Sequence, residues 1–136
     1  MQNLNVLHLN AFRWKQISIL GGRIVAFMFV IFAINNWATA IGIWDPTIRF
    51  DTMETHWKVA IVFLVVAQPV TAVGLWGHYG WGLVVWGLVA IAELIMHLLY
   101  PGLFGSNIGI VYFHIGCAAF FAVTFLVGQM EARKAQ

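Results

Sequence analysis

Long uncharged stretches alternate with short polar breaks along the whole chain. Residues 24–44 are 21 positions without a formal charge, and residues 59–77 are 19. A third apolar stretch, 81–99, is interrupted only by Glu93 and His97, and a fourth, 107–128, only by His114. A helix needs about 20 apolar residues to cross a hydrocarbon core of roughly 30 Å. Lipid offers open backbone groups no partner, so helices are the spanning form these stretches imply. The pattern predicts an all-α fold: a polytopic membrane protein, a four-transmembrane-helix bundle in one membrane domain over residues 1–136. The expected spans are 23–44, 58–77, 81–99 and 107–128, after a basic leader over 1–22. That leader mixes Leu9, Phe12 and Ile17 with Arg13, Lys15 and Gln16. It reads either as a short interfacial helix or as an irregular segment.

The breaks have local causes. Asp45-Pro46 is expected to stop the first helix, because the residue before proline disfavours the α region. Gly77-His78-Tyr79-Gly80 forms a tight turn, and Pro101-Gly102 with Gly105-Ser106-Asn107 punctuates the last loop. Trp44 and Trp57 flank one membrane face, Trp76 and Trp81 the other, as interfacial aromatic belts do. Small residues at helical spacing, Ala38-x-x-x-Gly42 and Ala118-x-x-x-Ala122, read as packing within the bundle or in an oligomer.

Composition removes the soluble alternatives. Hydrophobic residues are 62% and charged residues 9%, against about 45–50% and about 25% in ordinary soluble domains. Seven Lys/Arg and five Asp/Glu give a net charge of only +2, with no long basic run, so no nucleic-acid partner is expected. Charge also gives direction. Arg13, Lys15, Arg23, Arg133 and Lys134 lie at the end bearing the termini, while Arg49 and Lys58 lie at the other. The excess predicts cytoplasmic termini. The first apolar run is too long for a cleaved signal. Cys117 is the single cysteine and reads as a small packing residue.

Polar residues inside spans are expensive, so each needs a reason. Asn35, Asn36 and Gln68 fall within about a turn of the midplane. With a rise of about 1.5 Å per residue, Glu93 and His114 come to nearly equal depth, and an antiparallel hairpin of spans three and four lets them meet. Glu93 and His97 are i,i+4 and share a helix face. This intramembrane cluster of Glu93, His97, His114, Asn35, Asn36 and Gln68 has several open readings. One is an interhelical hydrogen-bond network. Another is a proton relay, since a buried Glu beside a His exchanges charge states near neutral pH. A third is a metal site from Glu93, His97, His114 and Cys117, or a haem between His97 and His114. No resident cofactor or metal is expected ahead of these alternatives. The loop between the first two spans holds a second cluster: Asp45, Arg49, Asp51, Glu54 and His56. It reads as a cation- or partner-binding loop, or as helix capping, with Asp51-x-x-Glu54 as the start signal of the second span.

Arg49-Phe50-Asp51, Trp57-Lys58-Val59-Ala60, Pro69-Val70-Thr71-Ala72-Val73-Gly74-Leu75-Trp76 and Leu103-Phe104-Gly105-Ser106-Asn107 resemble a family of small four-helix inner-membrane proteins of proteobacteria, catalogued only as a domain of unknown function. The resemblance covers about 23–128. It implies a multi-pass protein of the bacterial inner membrane and implies no activity. No nucleotide loop or nucleophile constellation stands out. The leading expectation is a non-enzymatic accessory subunit, assembly factor or small regulator of a larger membrane complex, touching lipids and other membrane subunits or itself. The alternatives are a small redox, metal- or proton-handling protein using Glu93, His97 and His114, and a homo-oligomeric small transporter.

Overall fold

The computed structural model describes residues 2–134, with side chains described from Leu9 onward except Ala11. Met1 of the leader and the final residues 135–136 lie outside the described residues. The elements are α1 (Gln2–Ala40), α2 (Thr55–Trp76), α3 (Gly80–Leu94) running on into a π-helical turn (Ile95–Leu99), the short α4 (Pro101–Phe104), and α5 (Ile108–Lys134). No strand occurs among the described residues. Four segments are long and apolar enough to cross a membrane: Phe12–Ala40, Thr55–Trp76, Gly80–Leu99 and Ile108–Lys134. The protein is therefore an all-helical, multi-pass membrane bundle. α1 packs along α2 and α5, α2 packs on α3, and α3 touches α5 more lightly.

The leader is neither irregular nor a separate interfacial helix. It continues α1 without a break. Gly21 and Gly22 do not interrupt it; instead the Phe120 ring of α5 lies where a Gly21 side chain would begin. The far end of α1 also differs from expectation. The helix ends at Ala40, ahead of Asp45-Pro46. Gly42, at φ +78°, takes the left-handed position. The Ile43 N–H returns to the Ala38 carbonyl and the Gly42 N–H to that of Thr39, the paired bonds of a Schellman stop. The same device ends α2. Tyr79 N–H bonds to Gly74 O, His78 N–H bonds to Leu75 O, and His78 is left-handed at φ +58°. α4, inside the last loop, had no counterpart in the expected elements; Pro101 sits at its first turn, where a missing N–H costs nothing.

Lipid tails are as apolar as the helix flanks, so the helices are held by close packing and interhelical hydrogen bonds. Gly74 and Gly82 are the closest approach: a side chain on either would overlap the backbone of the other helix. Ala118 and Ala122, by contrast, face outward, which removes them from packing within the bundle. Phe29, fully buried, sits at the centre against Phe113, with ring centroids 5.9 Å apart.

Pro69 lies inside α2. Having no N–H, it leaves the carbonyl four residues earlier, that of Val65, without a helical donor. The Trp37 indole of α1 donates to that carbonyl at 3.1 Å. Trp37→Phe is therefore expected to lower stability by roughly 0.5–1.5 kcal/mol. The same substitution in a Pro69→Ala background should cost much less, because the helix then supplies its own donor. Thermal unfolding of the four variants in one mild detergent checks this; equal costs in both backgrounds would refute the pairing.

Candidate functional site

The polar positions of the spans divide in the folded chain. Asn36 of α1, Gln68 of α2, Glu93 of α3 and His114 of α5 form one continuous hydrogen-bonded chain, one residue from each spanning helix. Asn36 Nδ2 donates to Gln68 Oε1 at 2.8 Å. Gln68 Nε2 donates to Glu93 Oε1 at 3.2 Å. His114 Nε2 meets Glu93 Oε2 at 2.6 Å, a contact that requires a proton on the axis between them. Gln68, Glu93 and His114 are all buried, His114 to 1% exposure. Both carboxylate oxygens are thus engaged, which is what makes a carboxyl group tolerable at this depth.

The chain is open on one side only. Asn36 and Gln68 line a small chamber of about 200 Å³ together with Asn35, Glu93, His97 and Asn107. Asn36 and Trp57 also line a larger vestibule of about 700 Å³ at the loop end, with Thr39, Thr47, Thr52 and His56. At the other end of the chain, His114 Nδ1 has no hydrogen-bond partner. The His114 ring is walled by Phe29, Phe113 and Trp86 at centroid distances of 6.2, 5.4 and 6.4 Å. The Trp86 indole N–H is likewise buried without a partner.

Two expected members stand apart. Asn35 is exposed, and only its carbonyl is used, by Thr39 Oγ1. His97 lines the chamber but its Nδ1 meets the Gly105 carbonyl at 2.9 Å. Glu93 and His97 both line the chamber, as their i,i+4 spacing implies. Residues 95–99 form a π turn, closed by the Tyr100 N–H on the Ile95 carbonyl, just ahead of the loop whose Gly105 carbonyl His97 meets. Among the described residues no three His, Cys, Asp or Glu side chains come together to hold a metal ion. The set of Glu93, His97, His114 and Cys117 is therefore not assembled. His97 and His114 are each engaged by separate partners, the Gly105 carbonyl and the Glu93 carboxyl.

The loop cluster is largely occupied with its own turns. Asp45 Oδ1 accepts from the Thr47 backbone N–H at 2.8 Å and from its hydroxyl at 2.6 Å, an Asx turn rather than a helix stop. Arg49 pairs with Asp51 at 2.8 Å. Glu54 holds the N-cap position of α2 but makes no side-chain cap bond, and Asp51, turned to Arg49, makes none for it. The expected capping signal is thus not realised. Glu54 instead lies 3.4 Å from His56 Nδ1, and His56 Nε2 meets the Leu103 carbonyl at 3.0 Å, tying the two loops together. Hydrogen bonds from the Thr47 hydroxyl, then its backbone N–H, hold the Asp45 carboxyl below its ordinary range, and the Arg49 hydrogen bond does the same for Asp51. These depressed carboxylates contribute fully above the ordinary value of 3.8 and lose their contribution as pH falls through the lowered one. Hydrogen exchange at 45–52 is accordingly expected to show no loosening of the turn between about pH 5 and 8.

Removing one partner of the central pair strands the other. Glu93→Ala and His114→Ala should each cost about 1–3 kcal/mol, and the double variant should cost clearly less than their sum. Unfolding in mild detergent measures all three; additive costs would show that the two side chains act independently.

No curated protein and no solved structure matches the chain. One family model does, over residues 17–132: that of DUF6163, a family of unknown function. The chain, with its four spans joined through Asn36, Gln68, Glu93 and His114, belongs to that family.

Proposed function

We propose that the protein is a non-enzymatic accessory subunit, assembly factor or small regulator of a larger membrane complex, sited in a bacterial inner membrane with its termini on the cytoplasmic side. The observation that carries this reading is the one-sided polar chain. It begins at the loop-end vestibule and stops at His114 against an aromatic wall. Among the described residues a single copy therefore has no continuous polar path from one end to the other, and its buried polar groups hold helices together instead. The outer flanks of all four spans remain apolar, with Ile34, Val66, Leu88 and Phe125 each more than half exposed, and are available to lipid or to other helices. Five basic residues at the terminus end against two at the loop end support the orientation. Purification from native membranes in a mild detergent, with cross-linking beforehand, is expected to retain a defined membrane partner. A chain recovered alone, or only with copies of itself, would overturn the reading.

A second reading has its own observation, the 2.6 Å contact of Glu93 with His114 beside a chamber lined by Asn36 and Gln68. It makes the pair a site that takes up and releases a proton from the loop end. Infrared difference spectra between about pH 5 and 8 should then show a carboxyl band that Glu93→Gln removes. No pH-dependent carboxyl band in the wild type would overturn this reading and leave the first intact.

A further inference from the structure

On the outer side of the bundle, away from the polar chain, α1 and α2 enclose an apolar groove of about 610 Å³. Ala26, Ala33 and Ala72 line it between Trp37 at one end and Trp76 at the other. Along α1 the groove runs from Ala26 to Trp37. At about 1.5 Å per residue this is roughly 16 Å, about half of a hydrocarbon core of roughly 30 Å. That is the depth of one leaflet, counted from the end that bears the termini.

The mouth of the groove has a different chemistry. Arg23 is exposed one helical turn before Phe27, a groove residue on the same face of α1. Its guanidinium lies 5.6 Å over the Trp76 ring, which fixes it at the groove's end. Next to it opens a second cavity of about 260 Å³, lined by Ser18, Gly22, His78, Tyr79 and Thr124 among others. Tyr79 lines both spaces. An apolar slot one leaflet deep thus meets a cation and a recess whose mainly apolar lining carries Ser18, His78, Tyr79 and Thr124 as its polar side chains. No carboxylate among the described residues lines either space, so the charge at the mouth is that of Arg23, which complements a head of net negative charge.

We infer that this is a binding site for one anionic phospholipid of the terminus-end leaflet. One acyl chain lies in the α1–α2 groove, the phosphate pairs with Arg23, and an uncharged polyol head occupies the recess beside Ser18 and His78. Basic groups between spans are suited to such heads. Pairing of Arg23 with a phosphate oxygen gives charge-assisted bonds, and the small floor lets the chain lie close to both helices.

The test uses the full chain reconstituted in phosphatidylcholine vesicles, with tryptophan emission as the readout. A minor fraction of chain-brominated phosphatidylglycerol is expected to quench emission as if enriched about fivefold at the protein over the same fraction of chain-brominated phosphatidylcholine. Arg23→Gln, an exposed change, should abolish that preference. Lys15→Gln and Lys134→Gln should retain it. Equal quenching by the two lipids in the wild type would overturn the site. So would a preference that survives Arg23→Gln, or one that the two lysine substitutions remove to the same extent, since either would assign it to diffuse surface charge.

Discussion

A carboxyl group placed in hydrocarbon must be answered on both oxygens, and the arrangement of this bundle follows from how Glu93 is answered. Gln68 donates to one oxygen and His114 meets the other. Gln68 can present its amide N–H to Glu93 because its own carbonyl is occupied by Asn36. The orientation of each group is therefore set by the next, and the four spanning helices are registered against one another at a single depth. Apolar packing alone does not supply this. Leu against Leu between helices is nearly equivalent to Leu against an acyl chain, so packing tolerates sliding and rotation that a four-membered polar chain does not.

The backbone contacts work in the same direction at other levels of the bundle. Gly74 and Gly82 bring α2 and α3 together near the turn, and Gly21 admits the Phe120 ring of α5 to α1. These contacts fix helix separation, whereas the polar chain fixes rotation and height. α3 and α5 touch only lightly, yet they carry Glu93 and His114. The shortest side-chain bond between spans thus joins two helices that otherwise touch lightly.

Much of this architecture was legible from residue order. Span number followed from the length of the uncharged runs, and the depth of Glu93 against His114 followed from counting rises inward from the ends of their spans. What escaped was set by atoms that composition and periodicity do not weigh. His97 lines the same chamber as Glu93 but bonds the Gly105 carbonyl, a loop partner that helical spacing does not reveal. The end of α1 depended on Gly42 and two backbone bonds, a signal present in the sequence but masked by the more conspicuous Asp45-Pro46. Asp51 was drawn to Arg49 instead of to the start of α2, a choice between two nearby partners that spacing alone does not decide. The link from Trp37 to Val65 was readable in principle, since a proline at 69 always frees the carbonyl at 65, but which side chain fills it is a property of the packed pair.

That last link bears on how the chain enters the membrane. A helix containing Pro69 carries one naked carbonyl into hydrocarbon, and its donor belongs to the preceding span. α1, synthesised first, already carries that donor when α2 follows, so the α1–α2 hairpin answers this carbonyl without α3 or α5.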